Sequence, residues 1–296
     1  MKVAVTGASG LIGSALVPHL RARGDEVVTL VRRAPRAPGE VRWDPQSGDV
    51  DLAGLAGTEA VVHLSGAGVG DKRWTPEYKE LIRSSRVDST RTIATAMAAL
   101  DPLPRVLVSG SAMGVYGDRG DEELTETSPP GTGYFPDVVT AWEAAAAPAV
   151  EAGIRVAYTR TSLVMSRHGG AFGRLVPLAK LGLAGPLGSG RQWWSWLTLQ
   201  DDVRARAFLI DHEVSGPVNF CSPQPLRQRD IAAALGRAAH RPAVLPAPAF
   251  ALRVVLGEFA NDILASDRLL PTVLTAAGFT FDHPDIDTAA RWTLGG

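Results

Sequence analysis

Three glycines stand three residues apart, at Gly7, Gly10 and Gly13, between a short β-branched run, Lys2–Thr6, and a segment, Ser14–Arg23, whose apolar residues Leu16, Val17 and Leu20 fall at helical spacing. A turn of this kind between strand and helix lets backbone N–H groups approach a pyrophosphate at the positive end of the helix, and its last glycine permits close helix–strand packing. Ser9, Leu11 and Ile12 are read with the glycines as contacts in that cradle. The spacing differs by one residue from G-x-G-x-x-G, and a tight turn with no ligand is the competing reading. Its position, directly after an N-terminal strand and opening an amphipathic helix, favours the nucleotide. The second strand-like run, Glu26–Val31, ends in Arg32-Arg33. An Asp or Glu there would accept from the ribose 2′-OH of NAD, whereas guanidinium groups suit a 2′-phosphate. NADP(H) is therefore the expected cofactor, with a solvated basic turn of Arg32, Arg33 and Arg36 as the alternative.

The elements that must position this site alternate. Strand-like runs at Lys2–Thr6, Glu26–Val31, Ala60–Ser65, Arg105–Ser109 and Arg155–Val164 are separated by helical stretches, among them Ser14–Arg23, Pro76–Leu100 and Asp137–Ala152. Near-continuous apolar strands between amphipathic helices predict an α/β fold with a doubly wound parallel sheet, Rossmann-like, covered on both faces. After about residue 165 the rhythm changes. Arg167–Gly190, rich in Gly and Pro, suits loops or a lid. A helix over Asp201–Asp211, a strand over Pro217–Phe220, a helix over Gln228–Ala239 and a mostly helical Phe250–Leu294 follow. The expected division is a cofactor-binding domain over 1–165 and a smaller, mostly helical lobe on the substrate side over 166–296, with some later segments returning to the sheet.

Composition removes several function classes. Thirty Lys+Arg against 31 Asp+Glu give a formal net charge of −1, whereas nonspecific nucleic-acid binding needs a basic excess. The six histidines (His19, His63, His168, His212, His240, His283) include no pair at metal-ligand helical spacing, so no protein-bound metal is expected. One cysteine, Cys221, forms no intrachain disulfide, and a reducing cytoplasm is the simplest home. No apolar run approaches the roughly 18–20 residues of a membrane span.

Longer motifs make the chain similar to a known family. They are VTGASGLIG (5–13), HLSGAGVGDKRW (63–74), IRSSRVDST (82–90), SGSAMGVYGDRGDE (109–122), WEAAA (142–146), GPLGSGRQWWSWLTLQD (185–201), GPVNFCSPQP (216–225) and LGEFANDILASDRLLPTVLTAAGFTFDHP (256–284). The chain resembles the extended short-chain dehydrogenase/reductase superfamily, in its nucleoside-diphosphate-sugar epimerase group. More narrowly it resembles the epimerase-like branch with a DUF1731-type C-terminal domain, here at about 248–294. The resemblance implies a cofactor in extended pose, with Leu64, Ser65 and Gly66 against its adenosine and phosphate region. It implies that Arg86 either contacts the cofactor or braces its helix, that Ser109 and Ser111 lie at the rim where chemistry occurs, and that Thr161 faces the nicotinamide. Residues 185–196 match a region of substrate contacts. There Trp193, Trp194 and Trp196 could stack on a flat ligand or pack a lid, and Arg191 could meet an anion or cap that lid.

The superfamily's usual acid–base machinery is a Tyr-x-x-x-Lys pair plus a Ser. Anchored on Trp142-Glu143, the Tyr and Lys positions fall at Phe135 and Val139, which carry no proton. Tyr134 is one residue away, but Val138 stands four residues on. Tyr78, Tyr116 and Tyr158 are followed at that spacing by Ile82, Gly120 and Ser162. The pair is absent. Ser111 is the candidate for the Ser role, although SGSAMGVYG is one residue longer than the usual form and a turn-forming serine is its alternative. Tyr134 is the candidate phenol, a proton donor rather than a ready base without a nearby cation. Glu143 reads as a structural helix-surface carboxylate, and Asp118, Asp121, Glu122 and Glu123 as a solvated loop. Two functions follow. The preferred one is an NADP(H)-dependent epimerase or oxidoreductase acting on a sugar-nucleotide-like or small polar substrate. The other is a non-catalytic NADP(H)-binding regulator or interaction protein, as the association of some members of the branch with cell division suggests. Superfamily analogy also suggests a homodimer.

Overall fold

A computed structural model of the chain describes residues 1–295. Eight strands form one sheet in the order Gly216–Phe220, Arg155–Thr161, Val106–Ala112, Ala60–His63, Lys2–Thr6, Glu26–Val31, Glu40–Asp44, Asp49–Val50, and every pair is parallel except the last. The sheet is buried on both faces, which is why its central strands read as continuous apolar runs. Alternation sorts the side chains. Val3, Val5, Val27 and Val62 face a layer with Leu16, Leu20, Val203 and Leu209, from helices Leu11–Ala22 and Leu199–Asp211. Ala4, Val28, Leu30 and Val61 face Ile93, Met97 and Ala149, from helices Pro76–Ala98 and Ala147–Glu151. Thr75 caps Pro76–Ala98 by accepting from the Tyr78 N–H, with Pro76 at its first turn.

The order of strand addition reverses at the Lys2–Thr6 strand, whose parallel neighbours are Glu26–Val31 on one side and Ala60–His63 on the other. Such a switch point opens a crevice at the carboxyl ends of the strands.

Two elements differ from the sequence expectation. Glu40–Asp44 and Asp49–Val50 form an edge hairpin that polar residues conceal from a search for apolar runs. Gly170–Lys180, expected as loop, is a helix: Phe172, Val176 and Ala179 are buried on one face despite the surrounding Gly and Pro. That face joins a second core with Trp194, Trp196, Ile231, Leu235, Ile286 and Ala290. Trp196 and Trp194 are therefore packing residues, their indole N–H groups donating to the Gln224 and Ile263 carbonyls. Among the described residues no helix is long and apolar enough to cross a membrane, and no group of three or more His, Cys, Asp or Glu could hold a metal ion.

Candidate functional site

The glycine turn is sterically forced. Gly7 has φ +66°, and a Cβ there would stand 2.7 Å from the Leu64 carbonyl oxygen; one on Gly13 would stand 2.3 Å from the Gly7 carbonyl oxygen. The first contact seats the turn against the loop after Ala60–His63, and the second seats helix Leu11–Ala22 on the turn. That helix begins at Gly10 with no side-chain cap and no acid in its first turn. Its free N–H groups, including those of Leu11 and Ile12, open into the crevice between the two strands, where an anion is favoured. Ser9 is exposed in the same turn. Gly169, just ahead of helix Gly170–Lys180, packs on the Leu11 side chain, and Arg174 of that helix donates to the Gly70 carbonyl at 2.9 Å. Helix Gly170–Lys180 thus lies beside the turn and the loop after Ala60–His63.

At the end of Glu26–Val31 the two arginines part. Arg33 is committed to Glu40, with contacts of 2.7 and 2.6 Å, and this ion pair pulls the Glu40 carboxyl down to about 2. Arg32 is exposed and makes no ion pair or side-chain hydrogen bond among the described residues. Of the two, Arg32 is the guanidinium free to meet a phosphoryl group.

The Leu64–Ala67 loop is held from both sides. The Leu64 N–H donates to Thr6 Oγ1 at 3.0 Å. Thr6 Oγ1 contacts His63 Nδ1 at 2.8 Å, and His63 Nε2 contacts Ser89 Oγ at 3.2 Å. Ser89 spends its proton on the Ser85 carbonyl at 2.6 Å, so the imidazole must carry its proton on Nε2 and accept from Thr6 on Nδ1. Burial pushes the His63 pKa down to about 3, keeping the ring neutral. Ser85 Oγ accepts from the Ala67 N–H at 3.0 Å, and Gly66 lies against the Arg86 guanidinium. Arg86 donates to the Ile82 carbonyl and stacks over Trp142, with no carboxylate partner among the described residues. Burial pulls its pKa down to about 10. It braces the loop and remains an unneutralised cation beside it.

At the far end of the crevice the rim residues are tied down. Ser109 is buried and bonds the Gly110 carbonyl. Ser111 donates to Glu143 Oε1 at 2.6 Å. Glu143 is not a surface carboxylate as the sequence suggested: it makes a bidentate, largely buried pair with Arg160 at 2.9 and 3.0 Å. Arg160 also donates to the Tyr116 hydroxyl, which donates to Asn219. Thr161 accepts from Arg206 at 2.9 Å and donates to the Thr159 carbonyl. Tyr134 donates to the Lys79 carbonyl at 2.6 Å, the Lys79 ammonium lies 4.4 Å from the centre of its ring, and burial pushes its pKa up to about 12. It belongs to an aromatic cluster with Trp74 and Phe135, beside a cleft of about 340 Å³ that Lys79 and Glu258 also line.

Several residues of this region went unnoticed in the sequence. His63 shows only as a polar residue at the end of an apolar run, and Ser89 only as one polar residue in the polar stretch 84–92. The pairing of Glu143 with Arg160, and the surroundings of Asp262 and Asp267, carry no local signal, because the partners stand far along the chain. Of the acidic loop, Asp118 accepts from the Ser266 N–H at 3.2 Å and so fastens the tail, and Asp121 accepts from the Trp193 indole at 2.8 Å and so holds that strand.

Known proteins match this architecture. Residues 3–220 match the model of the NAD dependent epimerase/dehydratase family, and residues 247–293 match a domain of unknown function, DUF1731. An epimerase family protein of Mycobacterium bovis is 41% identical over 289 residues, covering 97% of this chain and 95% of its own. The crystal structure of human epimerase family protein SDR39U1 with NADPH superposes with a TM-score of 0.93 at 29% identity, covering 99% of both chains. That of a nucleoside-diphosphate sugar epimerase from Corynebacterium glutamicum gives 0.80 at 36% identity, covering all of this chain and 58% of the other.

Proposed function

The chain belongs to the NAD dependent epimerase/dehydratase family, and from that premise we propose that it binds NADP(H) and performs hydride chemistry on a sugar-nucleotide-like or other small polar substrate. The observation that carries this reading is the cradle at the switch point: Gly7 and Gly13 leave no room for a Cβ, and the first helical turn is uncapped. The backbone groups of Ser9–Gly13 would hold the diphosphate, Arg32 the 2′-phosphate, and Leu64–Gly66 the adenosine side, with Arg86 adding positive charge. When bound, the nicotinamide supplies or accepts a hydride at C4. Thr161, Ser109 and Ser111 would lie toward that end of the site. The NADPH in the human relative supports the cofactor, and likeness to the C. glutamicum nucleoside-diphosphate sugar epimerase supports the substrate class.

A non-catalytic cofactor-binding regulator is the second reading, and a specific observation favours it. The two candidate proton carriers are both engaged, Ser111 with Glu143 and Tyr134 with the Lys79 carbonyl. Calorimetry tests the shared premise: NADPH should bind with a clear heat signal and raise the melting temperature. Silence at millimolar NADPH in both measurements overturns it. Hydride transfer to or from any nucleoside-diphosphate sugar then separates enzyme from regulator.

A further inference from the structure

Arg86 is a charge without a counter-charge. It stands in helix Pro76–Ala98, where Nη1 donates to the Ile82 carbonyl one turn back at 2.9 Å. Nε and Nη2 have no partner among the described residues, yet neither is sealed from solvent. Two walls hold the guanidinium. On one side a Cβ on Gly66 would stand 3.3 Å from Arg86 Cγ and 3.4 Å from Cζ, so the loop after Ala60–His63 lies against it. On the other, Arg86 Cζ is 5.1 Å from the centre of the Trp142 ring. That indole donates to Thr90 Oγ1 at 2.9 Å and abuts Gly110, where a Cβ would stand 2.9 Å from Trp142 Cζ2. Arg86 is thus fixed between the carboxyl ends of Ala60–His63 and Val106–Ala112. The ionisable groups acting on it are two phenols, Tyr134 and Tyr78, which burial keeps uncharged at neutral pH. The carboxylate of the rim, Glu143, is already matched by Arg160. A partly buried cation with free donors and no acid beside it is costly unless a ligand meets it.

We propose that Arg86 makes the site selective for the reduced cofactor, by opposing the positive charge that an oxidised nicotinamide ring carries. This deepens the NADP(H) reading and rests on it. In that reading the turn after Lys2–Thr6 takes the diphosphate, and Arg32, at the end of Glu26–Val31, takes the 2′-phosphate. With the adenosine half committed to that side of the switch point, the other half has to run the opposite way along the strand ends, past Ala60–His63 and Val106–Ala112. Arg86 stands on that path. Its free N–H groups suit ribose hydroxyl oxygens, which are the same in both forms of the cofactor. NADPH and NADP⁺ carry identical phosphates and differ by one positive charge on the ring. A cation acting on the phosphates strengthens both forms alike, and only one acting on the ring separates them. Repulsion between two unit charges across a partly solvated cleft is worth about tenfold in affinity. The form resident in the resting protein is then NADPH.

Calorimetric titration of the full chain with NADPH, NADP⁺ and 2′-phospho-ADP-ribose, which keeps the phosphates and lacks the ring, tests the proposal without any substrate. The wild-type chain should bind NADPH about tenfold more tightly than NADP⁺. Arg86→Gln should bring the two close to parity, with affinity for the ring-free analogue moving in step with that for NADPH. Arg86→Lys, which keeps the charge, should retain most of the preference. Equal changes for NADPH, NADP⁺ and the analogue in Arg86→Gln overturn the proposal and put Arg86 on the diphosphate. A lower melting temperature with an unchanged ratio also overturns it, leaving Arg86 a brace, as does a preference lost equally in Arg86→Lys. If Arg86→Gln does not fold, the wild-type chain decides: NADP⁺ bound as tightly as NADPH is fatal to the idea. A wild-type chain that binds none of the three overturns the cofactor reading itself, a distinct outcome in the calorimeter.

Discussion

Arg32 and Arg33 are adjacent, alike in type and both exposed, yet only one is free. Glu40 holds the Arg33 fork with two short contacts, so a phosphoryl group would have to displace a carboxylate to recruit it. The prediction is asymmetric. Arg32→Glu should weaken NADPH binding about 30-fold or more, the loss of a roughly 2 kcal/mol charge-assisted contact plus repulsion, while changing NADH binding little. Arg33→Ala should affect both cofactors slightly. Equal losses for NADPH and NADH in Arg32→Glu, read by calorimetry, would refute a 2′-phosphate role. The Glu143–Arg160 pair makes a second residue-scale case. With side-chain exposures of 15% and 6% it is largely desolvated, and Ser111 and Tyr116 complete its hydrogen bonds. Removing one partner of such a pair strands the other. Glu143→Gln should cost roughly 3 kcal/mol in denaturant unfolding; a loss under about 1 kcal/mol would show that the network is solvated.

The first glycine turn is legible in sequence because its chemistry is contiguous: strand, bend and helix occupy Lys2–Ala22 without interruption. Its steric logic yields a sharp expectation. Gly13→Ala must push helix Leu11–Ala22 off the turn, because the new methyl would overlap the Gly7 carbonyl and Ala8. Overpacking of this kind costs about 1–3 kcal/mol, and NADPH affinity should fall with it. An alanine variant that melts and binds like the parent would show that the turn relaxes freely. Other elements were legible only in part. The second strand, the long Pro76–Ala98 helix and the sheet core follow from periodicity. Helix Gly170–Lys180 hides its apolar face among Gly and Pro, and the Glu40–Val50 hairpin is too polar and short to register. The proton-bearing residues of the tail were illegible for a deeper reason. Asp267 is buried by pairing of 266–269 with 193–195 and 123–124, contacts that span about 70 and 140 positions. No window along the chain contains them.

Across the whole molecule, the tail acids and the buried histidine set opposing pH dependences. Burial pulls His63 down to about 3 from its usual 6.5, so the unfolded chain binds a proton there that the folded chain refuses, and this contribution to stability rises with pH up to about 6.5. His19, also lowered, shares that sign. Asp262 and Asp267 act the other way: raised from 3.8 to about 7 and about 8, they hold protons in the folded state that the unfolded chain has released. Between about pH 4 and 6.5 these contributions oppose one another. Above about pH 7 His63 and His19 are largely neutral in both states and the two acids remain, so the folded state binds more protons and stability must fall as pH rises toward 8. The ion-paired Glu40, held near 2, alters stability only in acid. The melting temperature should therefore drop by roughly 3 °C or more between pH 6.5 and 8.5. Asp267→Asn should flatten that slope, since the amide has nothing to ionise, and at pH 8.5 the variant should melt above the parent. A parallel decline in both proteins would mean that Asp267 is already charged in the folded chain. Whether the variant folds is read directly in the same melt, so the comparison needs no substrate and stands apart from any assay of turnover.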